Sequence, residues 1–394
     1  MSSLHNVVIV GAVRTPIGSF LSSLSGLTAP RLGSLVIQEA IKRAGIGNED
    51  VDEVIMGNVL SAGTGQAPAR QAALGAGLPV SVECMTINKV CGSGLKSVML
   101  AAQAIMVGDA DVIIAGGMES MSNVPYYVQK GRTGLKMGHS ALVDGLIKDG
   151  LWDVYNDYHM GNAAELCAKE CKIDRNMQDE FCRMSYERAL TAQKQGLFKD
   201  EIMPVSLPRK KGDPITIFED EEPSKVNFEK IPNLKPVFEK DGTVTAANAS
   251  SLNDGAAALV VMSEQKALEL GIKPLAKIIA QASTAKKPEW FTTAPADAIQ
   301  KVLNKANLTV DDIDLFEINE AFSVVSLAIN DILGLNPEKV NIHGGAVAMG
   351  HPIGATGARI LVTLIYAMLH NKKKYGLASL CIGGGEASSL IIEM

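Results

Sequence analysis

INKVCGSGLKSVMLAAQAIMVGDADVIIAGGMES, Ile87–Ser120, contains one complete alternation of chain direction. It opens with an apolar strand-like run, turns through closely spaced glycines, continues in good helix formers, and closes on a strand apolar enough to be buried on both faces. The same alternation extends upstream through VVIVGAV, APRLGSLVIQEAIKRAG, EVIMGNV and PARQAALGAG. This is the α/β pattern of buried strands connected by helices. From about Lys273 the order returns in LAKIIAQAS, ADAIQKVLNKAN, DLFEINEA, FSVVSLAINDIL, VNIHGG, TGARILVTLIYAMLH and GLASLCIGGGEASS. The two stretches end alike, in IIAGGMES and CIGGGEAS, so the sequence predicts two similar layered halves.

Between them the periodicity breaks. Residues 122–245 hold YYVQKGRTGLKMGHS, a helical GNAAELCAKECKIDRNMQDEFCRMSYERALTAQKQG and a Pro- and charge-rich tail. A segment this long carries binding or assembly contacts more often than it idles as linker. GAAALVVMSEQKALELG then supplies one last strand and helix to the first half. The expected organisation is residues 1–121 with 246–272 as the first half, 122–245 as an inserted loop domain, and 273–394 as the second half.

A chain of 394 residues exceeds what one hydrophobic core organises, and 47% hydrophobic against 20% charged residues provides for a large interior. The net charge of −6 and the confinement of clustered basic residues to Arg209–Lys211 and Lys372–Lys374 exclude a nucleic-acid footprint. No span of about 20 apolar residues predicts a membrane crossing, and no basic leader precedes the first strand, so a cytoplasmic enzyme is expected. The cysteines at 84, 91, 167, 171, 182 and 381 lack the spacing of a zinc site or disulfide framework and read as reduced thiols; no metal is expected.

Cys91 falls where a helix begins. There the partial positive charge of the helix end favours thiolate over thiol, which suits a nucleophile; a buried structural cysteine is the competing reading. In HGGAVAMGHPIGATGAR, His343–Arg359, glycines and a proline fold the backbone tightly about His351, a base if it reaches a thiol and a turn-bridging group if it does not. Asn319 in INEAF stands at a strand-to-helix corner, as ligand or as helix cap. Cys381 ends a strand ahead of three glycines whose N–H groups can approach a ligand closely. Ligand sites of open α/β sheets gather at such strand ends, so these corners are expected to converge.

NKVCGSG, NEAF, GGAVAMGHPIGATGARI and CIGGGEAS resemble, in order and spacing, the signature blocks of the thiolase family. The likeness runs across essentially the whole chain, including GNVLSAGTGQAPARQAALGAGLP, GGMESMS, DYHMG and GTVTAANASSLNDGAAA. Within the family it is to the short-chain branch that condenses two acetyl-CoA to acetoacetyl-CoA and CoA, or reverses that reaction. The resemblance implies a five-layer αβαβα fold built from two βαβαβαββ halves. It implies Cys91 as acyl-carrying nucleophile, His351 as its base and Cys381 as the base for the second substrate. It also implies oxyanion stabilisation by His351 with an Asn319-held water, and by the N–H groups of Cys91 and Gly383. CoA is implied to contact Leu151, His159, Met160, Ala246, Ser250, Ala321 and Phe322, and no cofactor is implied, CoA being part of the substrate.

Two departures from the family pattern stand out. DEEPSKVNF places Lys225 where many relatives carry an arginine over the adenine, and WFTTAP places Phe291 where a pocket methionine is usual. Lysine does not reproduce arginine stacking. YYVQKGRTGLKMGHS resembles the family's tetramerisation loop and implies a homotetramer, a dimer of dimers. A longer-chain 3-ketoacyl-CoA thiolase and a non-catalytic CoA- or lipid-binding relative remain as alternative readings.

Overall fold

The computed structural model describes residues 4–209 and 212–394, so Lys210 and Lys211 of the first basic cluster lie outside the described residues. The first half runs β1 (Val7–Arg14), α1 (Ala29–Ala44), β2 (Glu53–Gly57), α2 (Pro68–Gly75), β3 (Glu83–Ile87), α3 (Ser93–Val107), β4 (Val112–Ser120). The middle segment contributes α4 (Met160–Glu170) and α5 (Arg175–Gln195) before the chain returns in β5 (Asn253–Ser263) and α6 (Glu264–Glu269). The second half runs β6 (Ala276–Ala285), α7 (Ala294–Ala306), β7 (Leu315–Ile318), α8 (Ser323–Leu333), α9 (Ala346–Met349), α10 (Thr356–Asn371), β8 (Tyr375–Ile382), β9 (Glu386–Glu393).

Strand order is β7-β8-β9-β6-β1-β5-β4-β2-β3. Within the sheet the halves are joined by the pairing of Val8 with Lys277 and of Ile9 with Ala276. Cut there, β1-β5-β4-β2 matches β6-β9-β8-β7. In each half a parallel pair, β4 with β2 or β8 with β7, meets an antiparallel strand, β5 or β9. The sequence echo is therefore a topological repeat.

One expected strand is absent. Val340–Gly345 forms a single parallel bridge, Val340 to Phe316, and no strand. Asn341 sits at φ 45°, outside strand geometry, and its side chain takes the place of a partner backbone. Its Oδ1 accepts the Ile318 N–H and its Nδ2 donates to the Ile318 carbonyl, each at 2.8 Å.

Alternation along the strands divides the interior into layers. From β1, Val7 and Ile9 face the middle of the molecule, while Val8 and Val10 face α1 and α2 on one outer side. A third cluster lies beneath α7 and α8 on the other side. The middle layer is α3 and α10, whose Leu95, Val98, Ile105, Leu361 and Leu364 are fully buried between the two sheets. Each such side chain contributes about 1.5–3 kcal/mol of transfer free energy. Val90–Val107 is apolar enough over its length to pass for a membrane span, contrary to the reading from sequence; the reason is that a helix between two sheets must be apolar on nearly every face.

The two central helices begin almost in contact. A Cβ on Gly357 of α10 would lie 2.3 Å from the Leu95 nitrogen of α3, and one on Gly94 would lie 2.7 Å from the Ala358 nitrogen. No real Cβ tolerates backbone that close, so both positions require glycine for reasons of space alone. Gly357→Ala is expected to cost about 3 kcal/mol or more by overpacking, read as a lowered unfolding midpoint. Gly26→Ala, with nothing within 4 Å of the added Cβ, is the neutral control.

Candidate active site

Cys91 follows β3 and immediately precedes α3, at a turn with unusual backbone geometry. Val90 holds φ 45°, a left-handed conformation that a β-branched residue adopts only when its surroundings force it. The forcing bonds are local. Asn88 Oδ1 accepts the Val90 N–H at 2.9 Å, and Ser93 Oγ accepts the Lys89 N–H at 2.9 Å while donating to the Val90 carbonyl at 2.7 Å. Lys89 is also ion-paired to Glu386 at the start of β9, which ties this turn to the glycine loop after β8.

His351 lies in the turn before α10. Its N–H is held by Asn253 Oδ1 at 2.9 Å. Thr356 Oγ1 stands 2.6 Å from His351 Nδ1 and 3.0 Å from the Pro352 carbonyl. A hydroxyl has one proton, so in donating to the carbonyl it accepts from Nδ1–H. That leaves the lone pair on Nε2, which has no partner among the described residues. Burial, then the charge of Arg359, push this imidazole down to about 3, so it rests neutral.

The helix-end argument predicted a lowered Cys91 pKa; the structure reverses it. Burial pushes the thiol up to about 11, and the N–H groups of Gly383 and of Cys91 itself oppose the rise without overcoming it. Cys381, fully buried at the end of β8, is pushed well above the ordinary thiol value by burial and then by the neighbouring Cys91. The site therefore rests as two thiols and a neutral imidazole.

These groups meet at one cavity of about 480 Å³, within the range of small-molecule sites. Cys91, His351 and Gly383 form its floor. Asn319 and Cys381 do not line it: both are buried behind the floor, where the parallel β7 and β8 place them through the pairing of Ile318 with Ser379. Neither amide atom of Asn319 has a partner among the described residues. It is not a helix cap: α8 starts at Ser323 behind Phe322.

The walls come from the middle segment and from both halves. Leu151, His159 and Met160 line one side, Ala246 and Ser250 another, and Phe291, Ala321 and Phe322 close the end. His159 Nδ1 accepts the Gly161 N–H at 3.1 Å, capping α4, and its ring stacks on Phe238 at 4.7 Å. Phe322 meets Phe238 and Phe291 edge-on, both at 6.4 Å. Ser250 Oγ donates to the Ala321 carbonyl at 2.9 Å, joining two walls. Phe291 is 3% exposed and stands as a bulky stop.

Lys225 is the exception. Its ammonium is bound by Ser19 Oγ and lies near the Glu221 carboxylate, and it is not part of the cavity wall. The local acidic run of DEEPSK explains the capture. Phe238, Thr356 and Asn253 were not anticipated from sequence; Thr356 could have been, as the hydroxyl one turn beyond His351. Among the described residues no group of three or more His, Cys, Asp or Glu side chains is arranged to hold a metal ion.

Fold and pocket together define a class: a duplicated αβαβα protein whose halves close on a thiol–imidazole cavity. The chain belongs to the thiolase family. Residues 7–265 match the thiolase N-terminal domain and residues 272–394 the thiolase C-terminal domain. It is 56% identical over 388 residues to an acetyl-CoA acetyltransferase of Schizosaccharomyces pombe, covering 98% of each chain. It is 55% identical over 391 residues to acetyl-CoA acetyltransferase 1 of Arabidopsis thaliana, covering 99% of this chain and 94% of that one. The crystal structure of the Acat5 thiolase of Ascaris suum in complex with coenzyme A superposes with TM-score 0.94 at 46% identity, covering 98% of this chain and 99% of that one.

The resting protonation has a measurable consequence. Without substrate, alkylation of Cys91 by iodoacetamide is expected to accelerate about tenfold per pH unit from pH 7 towards the thiol's raised value, about 11, because only the thiolate reacts. A plateau with a midpoint near neutrality would instead reveal a thiolate–imidazolium pair.

Proposed function

We propose that the protein is an acetyl-CoA C-acetyltransferase. It joins two acetyl-CoA into acetoacetyl-CoA and CoA, and runs the reverse thiolysis, through an acetyl group carried on Cys91. The observation that carries this reading is the pairing of two thiols, Cys91 and Cys381, with an imidazole whose Nε2 lone pair is unengaged. The names of the relatives agree with it.

Each proton in the cycle has a place. His351 Nε2 takes the Cys91 proton as the sulfur attacks the acetyl carbonyl. The N–H groups of Cys91 and Gly383 meet the oxyanion, and the departing CoA thiolate is protonated by Cys381. The acetyl-enzyme then holds an imidazolium and a Cys381 thiolate. A thiolate whose pKa has been driven up by burial is a strong base, which is what removal of a proton beside a thioester carbonyl requires. Cys381 takes that proton, and the resulting enolate oxygen is met by His351 Nε2–H and a water held by Asn319. The carbanion attacks the acetyl-Cys91 carbonyl, and Cys91 leaves with the proton from His351. No cofactor enters.

Phe291, Phe322 and Phe238 limit the space beyond the reacting carbon, which favours an acetyl group over a long acyl chain. CoA reaches the floor past Leu151, His159, Met160, Ala246, Ser250 and Ala321; Lys225 is not assigned to it. The six free thiols suit a reducing compartment, and we assign the cytoplasm. Tyr126, Val128, Leu135 and Met137 stand exposed on the loop that resembles the tetramerisation loop, and we assign them to subunit contacts of a homotetramer.

Intact-mass measurement after mixing with acetyl-CoA is expected to show one acetyl adduct, lost in Cys91→Ala. Cys381→Ala is expected to retain the adduct yet form acetoacetyl-CoA at least about 100-fold more slowly, since a positioned base contributes about 10²–10⁴. Normal condensation by that variant would remove Cys381 from the role. Equal or faster thiolysis of a long-chain 3-ketoacyl-CoA would overturn the short-chain assignment.

A further inference from the structure

Glu119, near the end of β4, is fully buried outside the cavity wall; burial pushes its carboxyl up to about 7, and the donors around it oppose that rise. Every hydrogen bond recorded to its side chain comes from a loop beside the reacting groups. Oε1 accepts the Asn58 side-chain amide at 2.6 Å and the Leu60 N–H at 3.2 Å; Oε2 accepts the Val59 N–H at 3.0 Å and the Gly354 N–H at 2.9 Å. With two donors on each oxygen, the shell suits a carboxylate. A protonated carboxyl would aim its hydrogen at another donor.

Both reacting groups hang from these donors. Gly354 lies three residues past His351, in the turn whose Pro352 carbonyl and Thr356 hydroxyl fix the imidazole tautomer. The 58–60 loop reaches the nucleophile by the other route. The Val59 carbonyl accepts the Asn88 amide at 3.4 Å, and Asn88 Oδ1 in turn holds the N–H of the left-handed Val90. Val59 and Leu60 pack with Ile353 in one apolar cluster, against which Val90 and Cys91 also rest. The packing leaves no slack at this point: a Cβ on Gly354 would lie 2.6 Å from Glu119 Oε2, and one on Gly117 would lie 2.1 Å from the Gly354 carbonyl.

We infer that the Glu119 carboxyl group is a positioning residue for acyl transfer, pinning the Cys91 turn and the His351 turn to a common point and so fixing their separation. It touches no reacting atom. The inference rests on the assignment of Cys91 and His351 made above.

The test compares full-length wild type with Glu119→Gln, an isosteric change that must turn an NH₂ towards one pair of N–H donors whichever way the amide is oriented. In thiolysis of acetoacetyl-CoA, kcat is expected to fall about 30-fold or more, because an ångström of misplacement costs about 100-fold. The KM values for acetoacetyl-CoA and CoA are expected to stay within about threefold, since the CoA-facing wall is untouched. Quenched-flow mass measurement of acetyl-Cys91 is expected to slow by the same factor as kcat. Glu119→Asp, which keeps the charge but shortens the reach, should fall between the two. A Glu119→Gln kcat within about twofold of wild type, or a loss expressed only in KM, overturns the inference. Should that variant not fold, Asn58→Ala removes one donor and leaves the carboxylate; acylation about fivefold slower supports the inference, and an unchanged rate overturns it. Absence of any acetyl-Cys91 in the wild type would refute the functional assignment itself, and shows before any variant is made.

Discussion

Everything at the site depends on the crossing of α3 and α10. The two helices belong to different halves, and their first turns approach until only glycine fits, with the Gly357 Cβ position 2.3 Å from the Leu95 nitrogen. Cys91 lies just before one helix and His351 just before the other. Bringing the helix starts together therefore delivers a thiol from the first half and an imidazole from the second to the same cavity floor. The strand ends on either side add the rest: β8 brings Cys381, the glycine loop after it brings Gly383, and β7 brings Asn319.

The electrostatics of that floor follow from burial. A helix end is worth about 0.3–1 kcal/mol to an anion, less than the roughly 1.4 kcal/mol that one pKa unit represents. Burial acts in the opposite direction and is the larger effect, carrying the Cys91 thiol up to about 11 and the imidazole down to about 3. A neutral pair is the outcome. It suits a reaction in which charge forms only once a thioester is bound, and the N–H groups of Gly383 and Cys91 that fail to ionise the resting thiol stand beside its sulfur.

Much of this was legible in the chain. Continuous apolar runs in VVIVGAV, VIIAGGMES and ALVVMS predicted the strands, and the paired endings IIAGGMES and CIGGGEAS predicted the duplication, because burial on both faces of a sheet leaves a plain compositional trace. Three of the four site motifs were legible because each is a glycine-rich corner, where backbone geometry restricts residue choice; INEAF, without a glycine, was legible as a strand-to-helix corner. The failures have physical reasons too. Val340–Gly345 reads as a strand, but Asn341 replaces the ladder with its own amide. Lys225, which the sequence left open as a substitute for an adenine-covering arginine, donates to Ser19 close to Glu221 and lies outside the cavity wall. Phe238 comes to stack on His159 only through the folding of the middle segment, which has no periodicity to read. Glu119 gave no signal, since a lone carboxylate in an apolar strand has meaning only once four donors from distant loops surround it.

The central claim is geometric: the helix crossing holds Cys91 and His351 within reach of each other. A crystal structure of the protein with CoA measures this directly. The account predicts Cys91 Sγ about 3–4 Å from His351 Nε2, the range in which a thiol passes its proton to a base. It also predicts that the CoA sulfur lies against Cys91 and the Gly383 N–H. A separation beyond about 6 Å, with the imidazole turned from the cavity, exceeds what proton transfer spans and would contradict the account.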